Sequence, residues 1–305
     1  MRLIEMRRVL AEHGIRLTKS LGQNFLHDAN QLRRIVAAAE LTKADKVLEI
    51  GPGLGPLTEL LVAQAGKVLA IEKDARLVEF LHRRFERAEQ SSALQLVHDD
   101  ALDYVSREPL DWSGWKLVAN LPYSVASPIL VELASGGRAS SRTLTSEDAW
   151  AREDARPPET PGRGPERMVV TLQIEVAKRL MAKAGAPDYG LLTLLVQLDY
   201  EPGGWFKIPA KCFFPEPDVD SACVCLMCRT QPLLAPECRD AFVRVVKRSF
   251  SQRRKMMFKL LRQDWPEASL AGEFERLGLS PQVRAEEVSL EDFARMTQAL
   301  SQNPT

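Results

Sequence analysis

Four consecutive residues, Asn120-Leu121-Pro122-Tyr123, form the pattern with the clearest chemical use. The exocyclic amine of adenine is a poor nucleophile because its lone pair is delocalised into the ring. The side-chain carbonyl of Asn120 and the main-chain carbonyl of Pro122 could accept both hydrogens of such an amine and push its nitrogen toward a nucleophilic geometry. Tyr123 offers a ring on which an extruded base can stack. The motif therefore predicts methylation of an amine conjugated to an aromatic ring.

A glycine-rich segment, Gly51-Pro52-Gly53-Leu54-Gly55, follows a short apolar strand pattern and precedes a helical one. Such glycines let the backbone turn tightly and approach a ligand, which is typical of a nucleotide-type fold. Pro56 stands where a dinucleotide fingerprint needs glycine, which disfavours nicotinamide-dependent oxidoreduction. The carboxylate of Glu49, just before the loop, would repel a pyrophosphate and favour a cationic sulfonium cofactor. A plain strand-to-helix turn is the alternative interpretation.

Acidic residues end the next two strand patterns. Glu72 closes the first of them, where a carboxylate can accept hydrogen bonds from both hydroxyls of a ribose; a solvated acid at a strand end is the alternative. Asp99 and Asp100 follow the second, where a carboxylate can reach the adenine of a cofactor. Their position at the edge of the sheet does not show which of the two aspartates contacts the adenine.

Alternating strand and helix patterns place these motifs. Strands are predicted at 46–50, 67–72, 94–98 and 115–119, with helical spacing at 30–40 and 57–65. This alternation favours a parallel, doubly wound sheet with right-handed crossovers. Further on, the pattern predicts a helix over 169–183 and strands over 191–199 and 221–229.

Two composition shifts divide the chain. Residues 135–167 are rich in Gly, Pro, Ser and charges, with only Leu144 and Trp150 as large apolar side chains, which predicts a mobile insertion. After Pro232 and Pro236 the pattern becomes helical, with Phe242 and its neighbours on one face. We therefore predict a catalytic domain over 1–230 and a small helical domain over 231–305.

The formal net charge of zero, from 41 basic and 41 acidic residues, conceals opposed patches. Between Arg244 and Arg262 the chain carries eight Lys or Arg and no acid, whereas the tail from Asp264 onward is acidic. A basic stretch of this kind is typical of a nucleic-acid-binding surface, with a solvated helix face as the alternative.

Other classes of function are excluded by absences in the sequence. The 305 residues contain no apolar run long enough to span a membrane and no secretory signal at the start, so we expect a protein of the cytoplasm. We also expect a monomer. The five cysteines are an odd number, which argues against a disulfide framework. Cys223, Cys225 and Cys228 have spacing that could suit a metal, but they lie in an apolar run without a nearby His, so we predict no metal site.

Taken together, the motifs closely resemble those of the ribosomal RNA adenine N6,N6-dimethyltransferase family, specifically the small-subunit type whose loss confers kasugamycin resistance. The matching segments extend almost from end to end: Lys19-Ser20-Leu21-Gly22-Gln23-Asn24-Phe25-Leu26, the glycine loop, Glu72, Asp100-Ala101, Asn120-Leu121-Pro122-Tyr123, Phe213-Phe214-Pro215-Glu216-Pro217-Asp218-Val219-Asp220-Ser221-Ala222 and Phe250-Ser251-Gln252-Arg253-Arg254-Lys255. Asp218 stands where the family usually has Lys, and the 135–167 insertion is longer than the family norm.

This resemblance implies an α/β fold with a Rossmann-like class I methyltransferase sheet, mostly parallel with seven strands, and a small C-terminal all-helical domain. It also implies S-adenosyl-L-methionine as the cofactor, bound through Asn24, Leu26, Gly51, Gly53, Glu72, Asp100 (chosen over Asp99) and Asn120. The catalytic residues that it implies are Asn120, Pro122 and Tyr123, with Phe213 as the second wall of a base sandwich whose alternative is a core phenylalanine. Contacts to RNA phosphates would come from Arg248, Arg253, Arg254 and Lys255.

The resemblance further implies the reaction: dimethylation of the N6 amine of two adjacent adenosines near the 3′ end of the small-subunit (16S) ribosomal RNA, with the small ribosomal subunit as partner. Two alternatives stay open. One is methylation of large-subunit ribosomal RNA of the antibiotic-resistance type. The other is a ribosome-assembly or transcription factor that kept this fold and lost catalysis, against which the intact Asn120, Tyr123 and Gly51 argue.

Overall fold

The computed structural model describes residues 1, 3–15, 17, 23–107, 111–136, 164–252 and 254–302. The chain divides into two compact units, Met1–Ala177 with Pro202–Cys228, and Lys178–Glu201 with Arg229–Thr305. Residues 178–201 thus belong to the second unit although they precede the predicted boundary at residue 230. The predicted insertion 135–167 lies for the most part outside the described residues.

A seven-stranded sheet organises the first unit. The strands are β1 (Phe25–Leu26), β2 (Lys46–Ile50), β3 (Lys67–Glu72), β4 (Leu94–His98), β5 (Trp115–Asn120), β6 (Arg167–Gln173), β7 (Tyr200–Ile208), β8 (Phe213–Phe214) and β9 (Ser221–Cys228). The large sheet has the order β4-β3-β2-β5-β6-β9-β7, and β1 pairs with β8 in a separate antiparallel ribbon. The neighbours from β4 to β6 run parallel, whereas β6 and β9 run antiparallel. The predicted mostly parallel, seven-stranded α/β fold is confirmed.

Four helices connect the parallel strands: α3 (Pro56–Gln64), α4 (Ala75–Gln90), α5 (Ala101–Arg107) and α6 (Ala126–Ala134). The helices α1 (Leu3–Glu12) and α2 (Ala29–Ala38) precede β2, and α7 (Ile174–Met181) follows β6. Helix α2 begins where the carboxylate of Asp28 accepts hydrogen bonds from the main-chain N–H groups of Asn30 and Gln31, both at 2.9 Å. Its apolar face, with Ile35 and Val36, is buried in the core of the unit.

The second unit is helical and has its own core. Its remaining helices are α8 (Leu191–Gln197), α9 (Arg239–Phe250), α10 (Met257–Leu261), α11 (Glu267–Arg276) and α12 (Leu290–Gln302). The face of α9 that the sequence predicted to be apolar, with Phe242, Val245 and Val246, is fully buried in this core. Among the described residues of both units, no helix is both long and apolar enough to cross a membrane.

Two predicted elements were wrong. Residues 191–197 form the helix α8, although a strand was predicted over 191–199. The prediction failed because this short apolar run is buried on most sides and shows no helical periodicity. The predicted helix over 169–183 instead begins as strand β6 and becomes helical only at Ile174. Strand β6 pairs with β5 and β9 along its two edges. Its residues 168–172 are all buried, on both faces, so the alternation typical of a half-exposed strand is missing.

Candidate active site

A cavity opens at the carboxyl ends of the central parallel strands, where sheets of this kind bind their ligands. It contains about 850 Å³ of atom-free space, counted out to its mouth. Its wall brings together eight of the residues that the sequence singled out: Asn24, Gly51, Gly53, Glu72, Asp100, Asn120, Pro122 and Tyr123. Gln23, Phe25 and Lys73 also line it, and sequence reasoning gave them no role. Gln23 and Phe25 flank Asn24 within the segment 19–26 that resembles the family, and this position is the sequence signal that could have identified them.

Asn120 ends β5, lines the cavity and carries a side-chain acceptor that no described residue satisfies. Its side-chain Nδ2 donates to the main-chain carbonyl of Asn24 at 2.8 Å, which fixes the orientation of the amide. The opposite atom, Oδ1, is buried and has no hydrogen-bond partner within the described part of the chain. A buried acceptor of this kind is costly unless a ligand supplies a donor. The geometry therefore suits an N–H group bound in the cavity.

Glu72 joins the end of β3 to the glycine loop. One carboxylate oxygen, Oε1, accepts from the main-chain N–H groups of Lys73 and Asp74, both at 2.9 Å, and Oε2 accepts from that of Gly53 at 3.1 Å. Burial raises the pKa of Glu72, while these three N–H donors oppose the shift. The carboxylate is thus held in one orientation in the cavity wall.

The glycine loop adopts conformations that other residues rarely adopt. Gly51 and Gly53 have φ values of 68° and 61°. A Cβ atom on Gly53 would lie 2.7 Å from two ring carbons of Phe25, and one on Gly51 would touch the ring of Pro122 at 3.5 Å. Both glycines therefore allow close packing of the loop against the other walls. Pro56 occupies the first turn of α3, where a missing N–H costs nothing.

The position of Glu49 contradicts the expectation that its carboxylate favours a cationic cofactor. Its carboxyl is 1% exposed and does not line the cavity, so it cannot favour a cationic cofactor by direct contact. Burial, with a contribution from the charge of Glu72, raises the pKa of Glu49 to about 8. The carboxylate that lines the cavity is that of Glu72.

Both aspartates at the end of β4 line the cavity, in different settings. The two oxygens of Asp99 accept from the guanidinium of Arg107 at 2.7 and 2.9 Å. Asp100 accepts from Lys73 Nζ at 2.6 Å and from the first N–H groups of α5. Burial raises the pKa of Asp100, but these donors outweigh it and hold that pKa below its usual value. Asp100 therefore stays ionised, while Asp99 is engaged by a bidentate ion pair.

The two predicted aromatic walls are placed differently. Tyr123 lines the cavity, and its hydroxyl lies 2.5 Å from Ser221 Oγ. Burial raises the pKa of Tyr123, so the phenol is neutral. Phe213 is 2% exposed and belongs to the hydrophobic core, as does its ribbon neighbour Leu26. Neither of these two lines the cavity, and their contacts with base and cofactor stay predictions.

The predicted phosphate-binding residues lie in the second unit. Arg254 and Lys255 are exposed, and Arg253 lies outside the described residues. Arg248 forms a bidentate ion pair with Asp264 at 2.5 and 2.8 Å. Asp264 is the first residue of the acidic tail that the sequence shows. A contact between Arg248 and a phosphate would have to compete with this carboxylate.

The cysteine run lies in β9, as the apolar pattern predicted. Cys223 is buried, and its burial raises the pKa of the thiol to about 12, so it is not a reactive thiolate. Within the described ranges, no group of three or more His, Cys, Asp or Glu residues could hold a metal ion.

A parallel sheet with a glycine loop, an acid at the end of β3 and an Asn-Leu-Pro-Tyr segment at the end of β5 defines a class I methyltransferase. The pattern of the family "Ribosomal RNA adenine dimethylase" matches residues 14–302. The chain belongs to this family, as the resemblance predicted.

Relatives that are more than 30% identical support this assignment, and solved structures share the fold. The chain is 38% identical to the ribosomal RNA small subunit methyltransferase A of Pelotomaculum thermopropionicum, covering 95% of this chain and 93% of that protein. It is 32% identical to the protein of the same name from Latilactobacillus sakei, over 98% and 94% of the two chains. A dimethyladenosine transferase from Plasmodium falciparum has a similar fold, with a TM-score of 0.67, 24% identity, and coverage of 89% of this chain and 95% of that one. The 23S rRNA methyltransferase ErmE has a TM-score of 0.64, with 24% identity and coverage of 91% and 100%.

Proposed function

We propose that this enzyme dimethylates the N6 amines of two adjacent adenosines near the 3′ end of small-subunit ribosomal RNA, with S-adenosylmethionine as the methyl donor. The observation that carries the proposal is the buried Oδ1 of Asn120, which has no partner among the described residues and belongs to a side chain that lines the same cavity as Glu72. A hydrogen-bond acceptor for an amine and an acceptor for ribose hydroxyls then line one site. The names of the relatives support the small subunit over the large one.

The cavity suits the proposed cofactor. Bound S-adenosylmethionine supplies an electrophilic methyl group on a cationic sulfonium. Glu72 would accept hydrogen bonds from its ribose, and Asp100 from its adenine amine. Gly51 and Gly53 would let main-chain atoms approach it closely, and the neighbouring Asn24 would contact it through the main chain.

The reacting amine would be held by the segment after β5. Asn120 Oδ1 and the main-chain carbonyl of Pro122 would each accept one hydrogen of the amine, which localises the lone pair on nitrogen. Tyr123 would support the base by stacking, with Phe213 as the predicted opposite wall. No dedicated base is needed, because the proton on nitrogen becomes acidic once the nitrogen is alkylated.

The exposed cations of the second unit would bind the RNA backbone. Arg254 and Lys255 are free of acidic neighbours along the chain, and we propose that they hold phosphates together with Arg253. Arg248 would contribute only by leaving Asp264. The monomeric state and the cytoplasmic location stay predictions.

The test is a methyl-transfer assay on two substrates. The protein is incubated with radiolabelled S-adenosylmethionine and either undermethylated small subunits or large subunits, and the modified nucleosides are identified by mass spectrometry. We expect N6,N6-dimethyladenosine in the small-subunit RNA alone. Label in the large subunit alone would overturn the proposed target, and no label in either RNA would overturn the proposed activity.

A further inference from the structure

Ser221 contacts the candidate site in a way that the proposed function leaves unexplained. It is the first residue of β9, it is fully buried, and its Oγ lies 2.5 Å from the hydroxyl oxygen of Tyr123. The two residues are 98 positions apart in the chain, so this bond is a product of the tertiary fold.

The main chain around Ser221 is fixed on both sides. Ser221 is in register with Gln173 of β6. The preceding Asp220 accepts the N–H of Ala210 at 2.9 Å through its side chain and that of Ile174 at 3.1 Å through its main-chain oxygen. The carboxylate of Asp220 also pairs with Lys207 at 2.5 Å. The Ser221 hydroxyl is therefore presented from a rigid position on the sheet.

Tyr123, by contrast, follows the end of β5 in a segment outside the regular elements. The plane of its ring depends on two side-chain torsions, the second of which has a broad minimum. A hydrogen bond at the hydroxyl, the far end of the ring, restricts both torsions. Stacking requires the ring to be parallel to the base, so the orientation of this ring decides how well the base is placed.

We propose that Ser221 is a positioning residue that holds the ring of Tyr123 in the plane on which the target base stacks. The inference rests on the proposed function, because it takes an extruded base as the ligand of that ring. The competing explanation is purely structural: the buried hydroxyl of Ser221 and the hydroxyl of the half-buried Tyr123 satisfy each other, and the bond stabilises the fold without affecting catalysis.

A double-mutant cycle separates these explanations. Ser221→Ala and Tyr123→Phe each remove the bond, and Tyr123→Phe keeps the ring. We expect each to lower kcat for RNA methylation about tenfold, as for the loss of one buried hydrogen bond, with an unchanged KM for S-adenosylmethionine. The double variant should be no slower than Tyr123→Phe, because both changes remove one interaction. Thr297→Val is the matched control: it removes a buried hydroxyl that donates to the main-chain oxygen of Phe293 within α12, and it should keep full activity.

The outcomes are distinguishable. Losses of kcat that multiply in the double variant would overturn the positioning role, and so would full kcat in Ser221→Ala. In both cases an active wild-type enzyme leaves the proposed function intact. An inactive wild-type enzyme would overturn the proposed function and this inference together. If Ser221→Ala does not fold, Tyr123→Phe decides alone, because full activity in that variant contradicts the inference and a tenfold loss supports it.

Discussion

Replacing Asn120 with alanine tests the candidate site most directly, because the side chain does two separable things. Its Nδ2 holds the main-chain carbonyl of Asn24 at 2.8 Å, which ties the segment before β1 to the end of β5. Its Oδ1 presents a buried acceptor that has no partner in the described part of the chain. Alanine removes both, and the two losses should appear in different measurements.

The expected magnitudes are unequal. Loss of the bond to Asn24 is worth about 1 kcal/mol, so affinity for S-adenosylmethionine should fall about fivefold if all of it affects cofactor binding. Oδ1 is the acceptor that we propose for the reacting amine, so its loss should resemble loss of a preorganised transition-state hydrogen bond, about 3 kcal/mol or 10²–10³ in kcat. Catalysis should therefore suffer far more than cofactor binding.

The assay measures methyl transfer at saturating cofactor, together with cofactor affinity by titration calorimetry. Asn30→Ala is the matched control, since Asn30 is exposed on α2 and its side-chain oxygen accepts from Arg33. The control should behave as wild type. An Asn120→Ala enzyme that keeps more than about a tenth of kcat would refute the assigned role, because its loss would not exceed that of one ordinary hydrogen bond.

Three further predictions concern other parts of the molecule. Gly53→Ala places a Cβ atom 2.7 Å from the ring of Phe25, at a residue with positive φ, so the affinity for the cofactor should fall about tenfold in calorimetry. The control is Gly272→Ala, whose Cβ would have no atom within 4 Å and which should leave that affinity unchanged. Because burial raises the pKa of Glu49 from 4.5 to about 8, the folded state keeps a proton that the unfolded chain loses, so stability falls as pH rises between these values. Glu49→Gln should remove that slope, about 1.4 kcal/mol per pH unit in urea denaturation, and an unchanged slope would contradict the assignment. Replacing Arg254 and Lys255 by alanine should lower the salt dependence of small-subunit binding by about 1–2 in log–log slope, and an unchanged slope would exclude them as phosphate contacts.

The sheet was predictable because its local patterns agree with its tertiary structure. Strands β2 to β4 are short apolar runs that end at glycine or acidic residues, β5 ends at Asn120, and each of the four is followed by a helix. The errors fall where burial is nearly complete. In β6 and α8 most side chains are buried, so hydrophobic periodicity no longer distinguishes a strand from a helix.

The candidate site was predictable only as far as strand ends determine it. Gly51, Glu72 and Asn120 follow parallel strands, so they had to meet at one edge of the sheet. The partners of a side chain depend on residues distant in sequence, which local patterns do not report. The pairing of Arg248 with Asp264 and the deep burial of Phe213 are both of this kind.

The residues that line the cavity all lie between Gln23 and Val125, whereas Ser221 comes almost a hundred residues later. During synthesis, every side chain of the cavity wall therefore leaves the ribosome before the hydroxyl that anchors Tyr123. Contacts between such distant segments form late and slowly, because a long loop must close first. Chain order thus separates the candidate site in time: the residues that line the cavity are synthesised first, and the proposed anchor of Tyr123 is synthesised last.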